Sequence, residues 1–329
     1  MLGEILGELL YSKSFKLGEE VVNVSGNKPL KALDIFSSEC LVSNSVKSDK
    51  RIVLYTCSCE SDIYIKSLNN RDKTVRNNYL NKGYYVCDHF GKPINIMVEN
   101  GVVVVLGENF SRFFWSYLIK YLMQIWALEN ESIFVKCAAF SINENGTILV
   151  GYGGSGKTMV NTHVCANGAR FITNSNAYIK DGKIMGIASK MRIRRNEYYE
   201  KLFNINNAMV GLSNSDLLID PLLKFSSITN EWINIKNIVI VNYSRGIKGF
   251  ISIDKETAFV YAQQFLLGIN VYRLEEDILN YYGNNVIMFS EKYNKMINSL
   301  KKLIEQCNCY LADINIGNIE KCNEFMEEL

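Results

Sequence analysis

The stretch Thr147–Thr158 reads TILVGYGGSGKT. Four mostly apolar residues run into Gly151-Tyr152-Gly153-Gly154-Ser155-Gly156-Lys157-Thr158, which matches G-x-x-x-x-G-K-[ST] at every fixed position. Anion binding asks for these residue types. Glycines tolerate positive φ and let successive backbone N–H groups converge on a phosphate without Cβ clashes. A helix that starts here aims its first N–H groups and its dipole at the same anion. Lys157 is expected at the β- and γ-phosphates, and the Thr158 hydroxyl on Mg²⁺. The motif therefore predicts that Gly151, Gly153, Gly154, Ser155, Gly156, Lys157 and Thr158 hold ATP with its Mg²⁺.

The flanks give the loop its context. Thr147–Val150 is short and apolar, as expected of a strand buried on both faces. A helix is predicted from Lys157 to Asn167, stopped by Gly168. Upstream, Ile133–Phe140 (IFVKCAAF) reads as one strand and 143–146 (NENG) as a turn. Downstream, Arg170–Thr173 is a strand, and Ala177–Ile179 with Lys183–Gly186 forms a hairpin around Asp181-Gly182. Ile238–Val241 is a second buried strand. Helices are predicted over Thr257–Leu267, Glu275–Tyr282 and Glu291–Cys307. Strands alternating with helices mark an α/β layer fold.

The N-terminal part has a different character. Arg51–Cys57 and Gly83–Cys87 are β-branched and aromatic. Ile94–Met97 and Val102–Leu106 flank Glu99-Asn100-Gly101, a strong hairpin signal. Ser67–Asn81 is polar and reads as a loop or exposed helix. The expectation is a mostly antiparallel, β-rich module over residues 1–108. A connecting helix over 109–130 follows, capped by Asn109 or Ser111. Residues 131–329 form the α/β domain with a helical C-terminus. A length of 329 residues suits two domains.

Composition removes several function classes. Lys and Arg number 36 against 34 Asp and Glu, so a net charge of +2 gives no reason to expect a nucleic-acid binder. MLGEILGELL lacks a basic n-region and does not read as a signal peptide. Phe113–Leu128 is apolar but carries Lys120 and falls short of the ~20 residues of a membrane span. It reads as a buried helix, and no membrane partner is expected. Nine cysteines without an export signal point to free thiols in the cytoplasm. The pairs Cys57/Cys59 and Cys307/Cys309 are spaced more tightly than ordinary zinc ligands. His89 and His163 sit near neither pair.

A phosphate-binding loop occurs in many protein classes, and a neighbouring strand ending in Asp is the usual guide. Ile238–Val241 ends in Asn242. No h-h-h-h-D run and no N-K-x-D guanine motif was read in the chain, which argues against ABC-type ATPases, AAA proteins and GTPases.

The run from Phe134 to Arg194 resembles the HPr kinase/phosphorylase group, with its HPr kinase/PEP carboxykinase-like fold and its small peptide-tailoring kinases. The corresponding pieces are 135–140 (VKCAAF), the turn at Asn145-Gly146, the glycine-rich loop, and 168–173 (GARFIT). They continue with Asn174-Ser175, the hairpin at Asp181-Gly182, and 191–194 (MRIR). The resemblance covers about sixty residues. It implies transfer of the γ-phosphoryl group of ATP to a hydroxyl, most simply a serine, on a peptide or small protein. It also implies the oligomeric habit of that group, so a homo-oligomer is a further expectation.

The departures fall on the chemistry. In the family an Asp-Asp pair supplies the base and a carboxylate near the metal. Here those positions are Asn174 and Ser175, and an amide is no general base at neutral pH. The family's histidine corresponds to Lys136, which serves as a base only if burial or a cation lowers its pKa. Asp220, in LLIDPLL, is a candidate carboxylate from a later loop. Arg192 and Arg194 share one strand face beside Arg195 and are candidate phosphate or acidic-peptide contacts. Asp181 is explained by turn geometry, Glu144 by exposure, and His163 reads as structural. Three functions stay open: a serine or peptide kinase, a catalytically degenerate nucleotide-binding module, and a different transfer reaction using a carboxylate from elsewhere.

Overall fold

In a computed structural model the chain is a mixed α/β protein with several sheets. It describes residues 1–34, 41–42, 48–68, 73–75, 78–80, 83–86, 94–110, 113–187, 189–203, 211–213, 216–243 and 249–329. Ser111, Cys87 and His89 lie outside the described residues. The chain divides into two compact units that are not linear in sequence. One comprises Met1–Ile125 with Leu274–Glu291, the other Trp126–Arg273 with Lys292–Leu329.

The first unit holds β1 (Tyr11–Leu17), β2 (Glu20–Gly26), β3 (Leu41–Val42), β4 (Lys50–Thr56), β5 (Lys73–Val75), β6 (Asn78–Leu80), β7 (Gly83–Val86), β8 (Ile94–Glu99) and β9 (Val102–Gly107). Seven of these form one sheet in the order β3-β1-β2-β4-β9-β8-β7. The expected hairpin β8–β9 is present, with Asn100 and Gly101 both at positive φ. The sheet is mostly antiparallel, as expected, but its centre is not. Both of its central pairings, β2–β4 and β4–β9, are parallel. The apolar run of β4 is buried, as a central strand requires. Ser67–Asn81 is neither loop nor helix alone. The helix Asp62–Leu68 reaches into it, and β5 and β6 pair as a small hairpin.

The apolar segment after β9 begins with a π-helical turn, Phe114–Leu118, and continues as the helix Ile119–Glu129. Among the described residues no helix is long and apolar enough to cross a membrane.

The second unit holds β10 (Ile133–Lys136), β11 (Ala138–Ile142), β12 (Asn145–Val150), β13 (Arg170–Thr173), β14 (Asn176–Lys180), β15 (Lys183–Gly186), β16 (Met191–Arg194), β17 (Gly211–Ser213), β18 (Asp216–Ile219), β19 (Ile233–Asn242), β20 (Gly249–Ser252) and β21 (Asn308–Asp313). The main sheet has nine strands, ordered β10-β14-β15-β19-β12-β11-β13, with β21 on β19 and β20 on β21. The expected single strand Ile133–Phe140 is two strands broken at Cys137. One half pairs with β14, the other with β12 and β13, at different places in the sheet. Apolar periodicity cannot show such a change of partner.

β12 pairs parallel with β19 (Val150↔Ile240), and β19 pairs parallel with β21 (Asn242↔Asp313). The helix Lys157–Ala166 lies on this sheet. It buries Met159, Val160, Val164 and Cys165 against Ala138, Phe140, Leu149, Val239 and Val241. Each fully buried Val or Phe in such a layer contributes about 1.5–3 kcal/mol of transfer free energy. Gly186 sits where β15 passes under β13, and a Cβ there would stand 2.0 Å from the Ile172 carbonyl oxygen.

Gly186→Ala must therefore push two strands apart, and overpacking of this kind costs about 1–3 kcal/mol. Urea unfolding is expected to show a lower midpoint with an unchanged slope. An unchanged midpoint contradicts the contact.

Candidate functional site

The carboxyl end of β12 leads directly into the glycine-rich loop, and the loop leads directly into the helix Lys157–Ala166. Gly154 and Gly156 stand at φ 91° and 99°, conformations that L side chains rarely adopt. Gly151 is fixed for a different reason. A Cβ there would lie 2.4 Å from Ser155 Oγ and 2.8 Å from the Val241 carbonyl oxygen. Ser155 is itself fully buried beneath the loop.

Lys157 folds its ammonium back onto this loop. It donates to the Gly151 carbonyl at 2.6 Å, to the Tyr152 carbonyl at 2.8 Å and to Ser155 Oγ at 3.3 Å. Burial, and after it the charge of Lys136, pulls its pKa from 10.5 down to about 8. Burial lowers the Lys136 pKa as well. The buried Cys137 thiol lies near enough to Lys157 to feel its charge, and burial pushes it up to about 12.

The residues after β13 close the other side. Asn174 donates from Nδ2 to Thr158 Oγ1 at 3.2 Å. Its Oδ1 is buried without a hydrogen-bond partner among the described residues. Ser175 accepts from Asn176 Nδ2 at 3.1 Å, and its carbonyl accepts the Cys137 N–H at 3.1 Å. Lys136, Asn174, Ser175, Lys157 and Thr158 are thus assembled in one cluster from β10, the loop and the β13–β14 turn. The arrangement offers loop N–H groups and two amines to an anion. It also offers two neutral oxygens, Thr158 Oγ1 and Asn174 Oδ1, to a hard cation. The buried Asn174 Oδ1 beside Thr158 fits such a cation or its bound water.

Other candidates lie elsewhere. Asp220 caps the one-turn 3₁₀ helix Pro221–Leu223, accepting the Leu222 N–H at 3.1 Å. Arg192 and Arg194 stand on the exposed face of β16, in a separate three-stranded sheet with β17 and β18. Arg195 pairs with Glu200 at 3.1 Å, and Glu144 with Arg170 at 3.1 Å. Asp181 occupies the β14–β15 turn at φ 50°. His163 is a buried residue of the loop helix, 2.8 Å from Tyr198 Oη and 3.0 Å from Asn323 Oδ1. The neutral Nε2–H tautomer satisfies both partners.

One residue escaped the sequence reading. β21 ends in Asp313, opposite Asn242 on the carboxyl edge that carries the loop. It is two strands from β12, about 10 Å at ordinary strand spacing. The signal was present: 309–313 reads CYLAD, an apolar run ending in Asp. It follows a helix without a turn signal, so β21 and the run were both missed.

No protein-family model matches the chain, and no curated protein matches it in sequence.

Lys157 supplies a pH dependence. With a folded pKa near 8, its amine loses the proton above that pH, and the affinity of the loop for an anion falls by up to about tenfold per unit. Calorimetric titration with tripolyphosphate between pH 7 and 9 measures this, and a flat profile contradicts it. The unfolded chain holds this proton up to about 10.5, so the ligand-free fold gains stability as pH rises from about 8 to 10.5.

Proposed function

We propose that the chain is an HPr kinase-like P-loop protein. It binds ATP with Mg²⁺ and transfers the γ-phosphoryl group to a hydroxyl, most simply a serine, on a peptide or small protein. The carrying observation is the loop itself. A glycine-rich turn joins the end of a buried parallel strand to the start of a helix, and a buried lysine is held at its centre. The order of pieces from β10 to β16 also follows the resemblance read in the sequence.

In this reading Gly151–Gly156 hold phosphate oxygens through backbone N–H groups, and Lys157 exchanges its two loop carbonyls for phosphate. Thr158 and Asn174 would hold Mg²⁺, directly or through its water. When bound, the ion supplies positive charge against that developing on the transferred phosphoryl group. Phosphoryl transfer depends mainly on position and charge, so a strong base is not its first requirement. Asp313 is the carboxylate on the loop's edge best placed to assist.

A second reading is favoured by one observation. The side chain beside Thr158 is the Asn174 amide, at 3.2 Å, where the resembling family carries a carboxylate. A site so built suits a module that retains nucleotide without turning it over and acts within a peptide-modification complex.

One experiment separates the two: purified chain with ATP and Mg²⁺, with nucleotide binding and ADP release followed with and without serine-containing peptides. The kinase reading expects peptide-dependent ADP release. Tight binding without turnover under any condition selects the second reading. Lys157→Ala is expected to abolish nucleotide binding under both, and unchanged affinity contradicts the loop assignment. Under the kinase reading Asn174→Asp increases transfer, and Asp313→Asn lowers it by about tenfold or more, on the scale of general-base contributions.

A further inference from the structure

Lys136 belongs to β10, not to the glycine-rich loop, yet its position is unusually well determined. Its ammonium stands over the Tyr272 ring, 5.5 Å from the centroid. That ring is itself fixed. Its hydroxyl donates to Asn176 Oδ1 at 2.6 Å. Its face stacks on Phe134 at 5.8 Å and 25°. Phe134 is fully buried, and Gly268 approaches it so closely that a Cβ would lie 2.4 Å from the ring. The Lys136 backbone is tied as well, pairing with Asn176 in the sheet and donating its N–H to the Leu266 carbonyl at 2.8 Å. An aromatic face beneath an ammonium stabilises the cation without neutralising it.

The amine lies close enough to Lys157 for its charge to bear on it. Among the described residues, no carboxylate is within ion-pair distance of either amine. Two like charges held together in a half-buried site cost free energy that an anion recovers. A single phosphate seated in the loop meets Lys157. A longer phosphate chain carries further charge, which a second cation near Lys157 can meet.

We infer that Lys136, propped by Tyr272, is a second phosphate-binding cation of this site and selects a nucleoside triphosphate over the di- and monophosphate. The inference rests on the nucleotide reading above and adds the ligand's charge class. Tyr272 acts through Lys136 and is a positioning residue.

The test is calorimetric binding of ATP, ADP and AMP, each with Mg²⁺, to the full chain. The variants are Lys136→Met, Lys136→Arg, Tyr272→Phe and Tyr272→Leu. Lys136→Met keeps the aliphatic stem on the ring and removes the charge. It is expected to lose ATP affinity about tenfold or more, the order of one charged hydrogen bond, while ADP affinity stays within about threefold. Lys136→Arg restores most of the ATP preference. Tyr272→Leu reproduces the loss, and Tyr272→Phe, which keeps the ring, does not. If Lys136→Met and Tyr272→Leu both keep the wild-type ratio of ATP to ADP affinity, the inference fails and the loop reading stands. If the wild-type chain binds none of the three nucleotides, both fail.

Discussion

The parallel pairing of β12 with β19 is the constraint on which the site depends. Its register sets Val150 opposite Ile240. Gly151 is therefore the first residue past the ladder, beside the Val241 carbonyl, where no side chain fits. The chain turns there, passes two residues at positive φ, and enters a helix whose apolar face is already committed to the same sheet. A one-residue slip would turn Leu149 and Val150 each to the face it does not now occupy and carry the loop away from its helix. The loop's shape is thus set by packing beneath it, and Ser155, buried against Gly151, is the point of contact.

The same packing creates the site's electrostatic tension. Lys157 is partly buried and, among the described residues, satisfied only by neutral groups, two carbonyls and a hydroxyl. Lys136 adds a second positive charge nearby, on a rigid aromatic support. A protein selected for stability alone would have placed a carboxylate between them or replaced one of them. In the proposed reading a bound phosphate balances these charges, with stability in the free state given up for affinity.

Much of this was legible in the sequence, for identifiable reasons. The loop, the strand before it and the helix after it are specified locally, by glycine spacing and apolar runs. The hairpins at Asn100-Gly101 and Asp181-Gly182 are set by two residues each, and both pairs adopt positive φ. What was not legible depends on pairing partners. The break at Cys137 sends one apolar run to two places in a sheet. The parallel centre of the first unit's sheet joins strands distant in the chain. β21 carries no turn signal of its own, so Asp313 went unseen. The resemblance named Asn174 only as the position of a family carboxylate, and its hydrogen bond to Thr158 came from the structure; the Tyr272 support under Lys136 comes from just past the short helix Gly268–Val271, more than a hundred residues away.

The central claim is that the loop is a phosphate cradle now closed upon its own lysine. A crystal structure with a non-hydrolysable ATP analogue and Mg²⁺ tests it most directly. The account predicts that Lys157 Nζ leaves the Gly151 and Tyr152 carbonyls for a phosphate oxygen, with the loop N–H groups turned to the same phosphates. A structure in which Lys157 keeps both carbonyls while the nucleotide binds elsewhere would contradict it.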